Sequence, residues 1–310
     1  MAKYREFFFD SNDGITRLHA FECTPDNGQP RAILQIAHGV SEHILRYTDF
    51  AHFMADNGFA VCGHSHLGHG LSCTPASAGY FADENGWNIV VDDVRSLGAL
   101  MRQKYPGVPH FLLGHSMGSF VARTYLIKYP GELSGCIISG TGYQPAVVVK
   151  AGQAVARAEA KKYGWKGKSQ RLYNLCFGSY NKRIKNRNTD CDWLSRDDVA
   201  VLRYVEDEDC GNMCTISLYN DMLGGIGYIC NKSNASKMNR ATPILFISGT
   251  DDPVGGYGKG VEKCFHLFKA VGCLDVEMNL YESGRHEMLN ETNKYKVYTD
   301  LLTWLKKHLA

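Results

Sequence analysis

The sequence predicts an α/β fold: a mostly parallel, doubly wound sheet that opens with an antiparallel hairpin and is interrupted by a helical insertion. Three observations carry that expectation. Short apolar runs alternate with helical patterns up to about residue 140 and again from about residue 241. Between them, residues 142–240 contain helical and irregular stretches but no clear buried strand. Finally, Gly114-His115-Ser116-Met117-Gly118 has an apolar run before it and a helical pattern after it, the strand, sharp turn and helix of a G-x-S-x-G elbow. The core is therefore expected to span residues 1–141 and 241–310, with 142–240 as a helical cap over the sheet's carboxyl edge.

Taken in order, Phe7 to Asp10 and Ile15 to Glu22 are strand-like runs around Ser11-Asn12-Asp13-Gly14, whose Asp-Gly pair signals a hairpin. Ala32-Ile33-Leu34-Gln35-Ile36-Ala37 suits a strand buried on both faces. It ends at His38-Gly39-Val40-Ser41-Glu42-His43, and a helical pattern follows to about Asn57, closed by Gly58. Phe59 to Cys62 is a further buried strand, and Trp87 to Tyr105 a helix stopped by Pro106-Gly107. The elbow strand Phe111 to Leu113, its helix Ser119 to Tyr129 and the strand Gly135 to Ser139 come next. Helical stretches in the insertion are Ala146 to Tyr163, Ser169 to Phe177, Arg196 to Glu206 and Thr215 to Ile229. Alternation resumes with the strand Pro243 to Ser248, the helix Lys259 to Val271, the strand Val276 to Tyr281 and a closing helix from Asn290 to Leu309.

Composition narrows the class. With 310 residues, 44% hydrophobic and 21% charged, the chain is globular in character. A net charge of +2 gives no reason to expect nucleic acid. No run of about 18 apolar residues marks a membrane span, and MAKYREFFFD lacks the features of a secretory signal. Eleven scattered cysteines then read as reduced thiols of a cytoplasmic protein. No metal and no cofactor are expected. Cys210 and Cys214 have no histidine at zinc-finger spacing, and the histidine-rich loop His64-Ser65-His66-Leu67-Gly68-His69-Gly70 reads as turn-building. Between Lys150 and Arg240, 16 basic residues face 10 acidic ones, a net of +6. That excess could meet an anionic head group or a lipid surface; a solvated face is the plainer reading.

The elbow requires an acid and then a histidine later in the chain. Asp251-Asp252 follows one strand and His286 follows the next, so both fall with Ser116 at the strands' carboxyl ends, on one crevice. A serine hydroxyl is a poor nucleophile without an adjacent base, imidazole can take and return its proton, and a carboxylate fixes the imidazole's tautomer. Oxyanion stabilisation calls for two backbone N–H groups. One is that of Met117; the other belongs to the His38-Gly39-Val40 loop, where Gly39 permits a turn that aims the Val40 amide inward.

Five stretches (His38 to His43, Gly68-His69-Gly70-Leu71-Ser72, the elbow, Gly249 to Val254 and Gly284-Arg285-His286-Glu287) together resemble the α/β-hydrolase superfamily. The chain looks most like its branch of monoacylglycerol lipases, bacterial lysophospholipases and related serine hydrolases. The resemblance implies an α/β-hydrolase fold with Ser116 as nucleophile, His286 as base and Asp252, rather than Asp251, as acid, with the Val40 and Met117 amides as oxyanion donors. One departure is visible: Ser65 stands where relatives carry an aspartate. The implied reaction is hydrolysis of carboxylic esters of lipids, monoacylglycerols or lysophospholipids, through an acyl-enzyme. Small-ester, thioester and aminopeptidase activities use the same triad, and a binding member without catalysis is the reading from another class. A small-molecule ester or lipid is the expected partner, with peripheral contact to a lipid surface. A long acyl chain needs an apolar tunnel under the cap. Val147-Val148-Val149 and Met222 to Ile226 are its candidate walls, with ordinary helix core as the alternative.

Overall fold

The computed structural model describes residues 2–309. Its strands are β1 (Lys3–Asp10), β2 (Arg17–Thr24), β3 (Ala32–Ala37), β4 (Phe59–His64), β5 (His110–His115), β6 (Gly135–Ser139), β7 (Ile244–Gly249) and β8 (Val276–Tyr281). They form one sheet in the order β1-β2-β4-β3-β5-β6-β7-β8. All pairs from β4 through β3 to β8 are parallel, while β2 is antiparallel to both β1 and β4. The chain passes from β3 out to β4 and then returns to β5 on the other side of β3. That reversal opens a crevice at the carboxyl ends of β3 and β5, where loops from both sides of the sheet converge.

Burial explains the strand composition. β3, β4, β5, β6 and β7 are buried throughout, so their sequences are continuous apolar runs. β1, at the sheet edge, is largely exposed. The hairpin strands reach further out than their apolar runs, pairing from Lys3↔Thr24 to Asp10↔Arg17. Their loop is wider than a two-residue Asp-Gly turn. Ser11 N donates to Thr16 O at 2.8 Å, and the Asp13 carboxylate accepts the amides of Ile15 and Thr16.

Helices cover both faces. On one, α1 (Thr48–Asp56) packs Phe50 and Met54 into a core shared with Val297, Leu301 and Trp304 of a C-terminal helix, Lys294–Lys307. On the other, α2 (Gly86–Lys104), α3 (Met117–Lys128) and a helix at Lys259–Ala270 contribute Val90, Leu97, Val121 and Phe268. The helical pattern expected after His43 divides into a short 3-10 turn, Ile44–Tyr47, and α1.

Between β6 and β7 lie α4 (Ala146–Tyr163), α5 (Gln170–Phe177), α6 (Asp198–Glu206), α7 (Ile216–Ile229) and α8 (Lys232–Ala235); the helices at Lys259–Ala270 and Lys294–Lys307 are α9 and α10. Three of these begin one or two residues later than their sequence patterns, because the residue just before each helix is a polar cap. Ser169 accepts the Leu172 N–H, Asp197 those of Val199 and Ala200, and Thr215 that of Leu218. The inserted segment shares its core with the sheet: Leu218, Tyr219 and Met222 of α7 belong to the same apolar cluster as Ile138 and Phe246. Arg123, fully buried on α3, joins both roots of the insertion. Its guanidinium donates to Gly142 O (3.0 Å) and Thr141 Oγ1 (3.3 Å) at the start, and to Ile229 O (3.4 Å) near the end. All eleven cysteines are free thiols. Among the described residues no helix is long and apolar enough to cross a membrane.

Candidate active site

Ser116 sits between β5 and α3 with φ 53° and ψ −120°, a left-handed conformation that a non-glycine residue adopts only under strain. The flanking glycines make the turn possible. A Cβ at Gly118 would lie 2.0 Å from Ala37 O, and one at Gly114 would lie 2.2 Å from Gly118 O. Any side chain there would push the elbow off β3. The turn is tied to the sheet by Ser116 N, which donates to Ser139 O at 3.0 Å. Met117 is the first residue of α3, so its amide has no intrahelical acceptor and points from a positive helix end.

The loop after β3 approaches closely. A Cβ at Gly39 would stand 3.0 Å from Ser116 Cβ. Gly39 N donates to Glu42 Oε1 at 2.5 Å, which folds the loop back on itself. His38 holds it from below, its Nε2 accepting the His66 N–H at 2.8 Å and its Nδ1 donating to Gly39 O at 2.7 Å.

His286, 2% exposed, places Nδ1 3.0 Å from Oδ1 of Asp252, which is fully buried. Asp252 also accepts Ser248 Oγ at 2.9 Å and Val254 N at 2.8 Å. Asp251, by contrast, is exposed, and its backbone N–H bonds to Gly284 O. Of the two adjacent aspartates, only Asp252 meets the histidine. Burial works against a charge on either partner. Even so, the Asp252 carboxylate, helped by Glu287 and Glu42, raises His286 above its ordinary 6.5, and Asp252 is held below its ordinary value by His286 and its two other donors. His115, its ring 4.7 Å from that of His286, goes the other way: burial and the neighbouring imidazole push it down to about 4.

A buried charge hub supports this site, and sequence reasoning did not assign it. Arg46 donates through Nη1 to Glu42 Oε2 and Glu287 Oε1 and through Nη2 to Glu287 Oε2, each at 2.7 Å. Glu42 carries the Gly39 amide and accepts Tyr47 Oη at 2.9 Å, while Glu287 follows His286 directly. One guanidinium thus ties the Gly39 loop to the histidine loop. The signal was present in the Glu42–Arg46 spacing of four residues, but Glu287 enters only through the fold. Burial works against the Glu287 charge, but the Arg46 guanidinium outweighs it and holds the carboxyl down at about 2, so Glu287 is ionised. With His286 in the role of general base, which must be neutral to act, activity is expected to rise with pH through a value above 6.5. Removing the Glu287 charge lowers that value, so Glu287→Gln should move the acidic limb of the kcat/KM profile to lower pH. An unmoved or upward-shifted limb would contradict the coupling.

The insertion closes over the crevice. His286 N and Glu287 N donate to Trp193 O (3.4 Å) and Leu194 O (2.7 Å), and Arg285 Nη1 reaches Asp192 O and Ser195 O, each at 2.7 Å. The Trp193 ring lies 5.0 Å from that of His286. Two cavities meet at Ser116. A smaller pocket of about 60 Å³ has mixed walls, with Glu42, His286 and Glu287 beside Tyr173, Trp193 and Leu194. An apolar cavity of about 360 Å³ is lined by Met117, Phe120, Val148, Val149, Met222 and Ile226, with Leu175 and Leu223 among its other walls. Val40, Ser116 and Phe177 border both. Val147, the first residue of the expected apolar wall, is instead 72% exposed.

The histidine-rich loop is a packed element. His64, His66 and His69 are buried with His38, and the His38 and His66 rings are 4.2 Å apart. Burial pushes His64 down to about 3 and His69 to about 4, so the cluster is neutral at physiological pH. Ser65 uses its Oγ to accept Ile44 N at 3.3 Å, and its carbonyl takes Ser72 Oγ. Elsewhere the fold brings His43 to Cys210 and Asp207, which sequence spacing did not. The His43 Nε2 to Asp207 Oδ2 distance is 2.8 Å, a direct hydrogen bond from the β3 loop to the insertion.

An eight-stranded mixed sheet, helices on both faces and a serine on the strained turn between β5 and α3 define the class as the α/β-hydrolase fold. The chain belongs to the family described as serine aminopeptidase, S33, whose model matches residues 28–293. Over 293 residues it is 28% identical to the monoacylglycerol lipase of Mycolicibacterium smegmatis, spanning 92% of this chain and 91% of that one. Over 287 residues it is 33% identical to the monoglyceride lipase of Mus musculus, spanning 92% and 85%. Among solved structures, a thermostable carboxyl esterase from Bacillus coagulans in complex with glycerol matches with a TM-score of 0.92 at 27% identity, covering all of both chains.

Proposed function

We propose that this serine ester hydrolase cleaves monoacylglycerols through an acyl-enzyme. Ser116 Oγ attacks the ester carbonyl as His286 takes its proton. Asp252 holds the imidazole's tautomer and stabilises its positive form, and the Val40 and Met117 N–H groups stabilise the oxyanion. His286 then returns the proton to the departing glycerol oxygen, and water, activated by the same imidazole, releases the fatty acid.

The observation that carries this reading is the position of Ser116 between a 360 Å³ apolar cavity and a 60 Å³ pocket that holds Glu42, His286 and Glu287. The first suits an acyl chain, the second a small alcohol. The smaller pocket also favours glycerol over a phosphodiester. Glu42 and Glu287 are both buried there against the single Arg46, so a phosphate would face excess negative charge. The names of the similar enzymes, and the glycerol bound to the similar esterase, support the same head group. Residues 142–240 act as the cap. Their basic excess, with exposed Val148 and Leu175 at the apolar cavity, favours peripheral contact with a lipid surface during substrate uptake.

An ester panel tests the proposal at fixed acyl length, comparing glycerol, glycerophosphocholine and nitrophenol leaving groups with an aminoacyl nitroanilide. The monoacylglycerol should exceed the lysophosphatidylcholine in kcat/KM by about tenfold or more, equivalent to ~1.4 kcal/mol in the transition state. Equal or faster turnover of the phosphocholine ester would refute the head-group assignment, and preference for the anilide would favour an aminopeptidase.

A further inference from the structure

The chain around His286 leans on the insertion. Four consecutive carbonyls, those of Asp192, Trp193, Leu194 and Ser195, each accept a hydrogen bond from Arg285, His286 or Glu287. A segment that belongs to the cap in sequence therefore runs alongside the loop that carries the proposed base.

Glu291 ties these two segments together. It is fully buried, and its Oε1 accepts both Arg285 N at 2.9 Å and Arg196 N at 3.1 Å. One oxygen thus joins a backbone N–H next to His286 to one from the insertion. Its Oε2 accepts Arg196 Nε and Thr292 N, each at 2.9 Å. A buried carboxylate is costly unless it is paired and hydrogen-bonded, and its ion pair is with Arg196, whose side chain is 30% exposed. Ser195 adds a second tie: its buried Oγ donates to Asn290 O at 2.9 Å and accepts Asp197 N at 3.0 Å. Asp197 in turn caps α6, so the joined segment leads straight into a helix.

An imidazole can serve Ser116 only within hydrogen-bond reach, and a displacement of about 1 Å can cost roughly 10²-fold in rate. Asp252 holds the ring at one point, Nδ1. The rest of its placement comes from the backbone, which the insertion holds.

We propose that Glu291 and Arg196 are positioning residues for the base: they bind segment 192–197 to the histidine loop and so set where His286 stands. This rests on the reading of His286 as general base. It follows that this part of the insertion serves the turnover of every ester, whether or not the acyl chain fills the apolar cavity.

The test uses nitrophenyl acetate, whose acetyl group makes no demand on the apolar cavity, and a fluorophosphonate that titrates Ser116. Arg196→Met, at a partly exposed site, should lower kcat by about tenfold or more, with KM within about threefold of wild type. Arg196→Lys, which keeps a cation for Glu291, should recover most of the loss, and Glu291→Gln should share the signature of Arg196→Met. The fluorophosphonate separates positioning from folding. A displaced base slows labelling while the whole population still labels; a folding defect shrinks the labelled fraction and leaves the rate constant of the remainder unchanged. The proposal is overturned if Arg196→Met labels at the wild-type rate, if only its labelled fraction falls, if KM rather than kcat carries the loss, or if Arg196→Lys is no better than Arg196→Met. A wild type that failed to label would take down the reading of Ser116 and His286, and this proposal with it.

Discussion

Ser116→Ala is expected to lower kcat for monoacylglycerol hydrolysis by about 10⁶-fold, the scale seen when the nucleophile of a serine hydrolase is removed. Among the described residues no other hydroxyl takes its place on the elbow. Ser119 Oγ is turned back to donate to Ser116 O, and Ser139 belongs to the buried end of β6. The elbow itself should survive, because its conformation depends on Gly114, Gly118 and the Ser116 N to Ser139 O bond rather than on the serine hydroxyl. Substrate affinity should therefore change far less than turnover, since both cavities keep their walls. A variant that lost turnover and folding together would not isolate chemistry, so thermal unfolding of Ser116→Ala belongs beside the kinetics. A loss below about tenfold would mean that another group attacks the ester.

Asp252→Asn carries the second large effect, about 10⁴-fold in kcat. An amide at this position presents an N–H where the carboxylate accepts one, and the imidazole is then favoured in the wrong tautomer. The amide group that faces His286 takes the place of Oδ1, which also accepts Val254 N, so that bond is lost with it, while Ser248 Oγ, on Oδ2, keeps an oxygen acceptor. Asp251→Asn is the control one residue away. Its side chain is exposed and takes no part in the His286 bond, so less than a threefold change is expected. A larger loss at Asp251 than at Asp252 would reverse the assignment of the acid.

The sheet and the chain order of the site were legible because they follow from local rules. Buried parallel strands must be continuous apolar runs, and loops at their carboxyl ends must share one edge, so Ser116, Asp252 and His286 could be placed near one another without contacts in hand. The choice between Asp251 and Asp252 rested on resemblance, since two adjacent aspartates at one strand end are equivalent to periodicity. What escaped the reading depends on residues far apart in sequence. Arg46 joins Glu42 to Glu287 across 241 positions, and His43 meets Asp207 across 164. Neither pairing leaves a local pattern. Helix starts at Ser169 and Thr215 were displaced by one residue for a plainer reason: a capping side chain belongs to the helical pattern but not to the helix. In α7, Gly224, Gly225 and Gly227 lower intrinsic helix propensity, yet the helix forms because Gly225 lets it lie against the Trp87 ring and Gly227 lets it approach Val149.

Covalent labelling with a fluorophosphonate, read by intact and peptide mass spectrometry, tests the central claim most directly. Wild type should gain one phosphonyl adduct on the peptide that contains Ser116, at a rate that falls in Asp252→Asn, and Ser116→Ala should gain none. Equal labelling of wild type and Ser116→Ala, or an adduct on any other residue accompanied by loss of activity, would contradict Ser116 as the nucleophile.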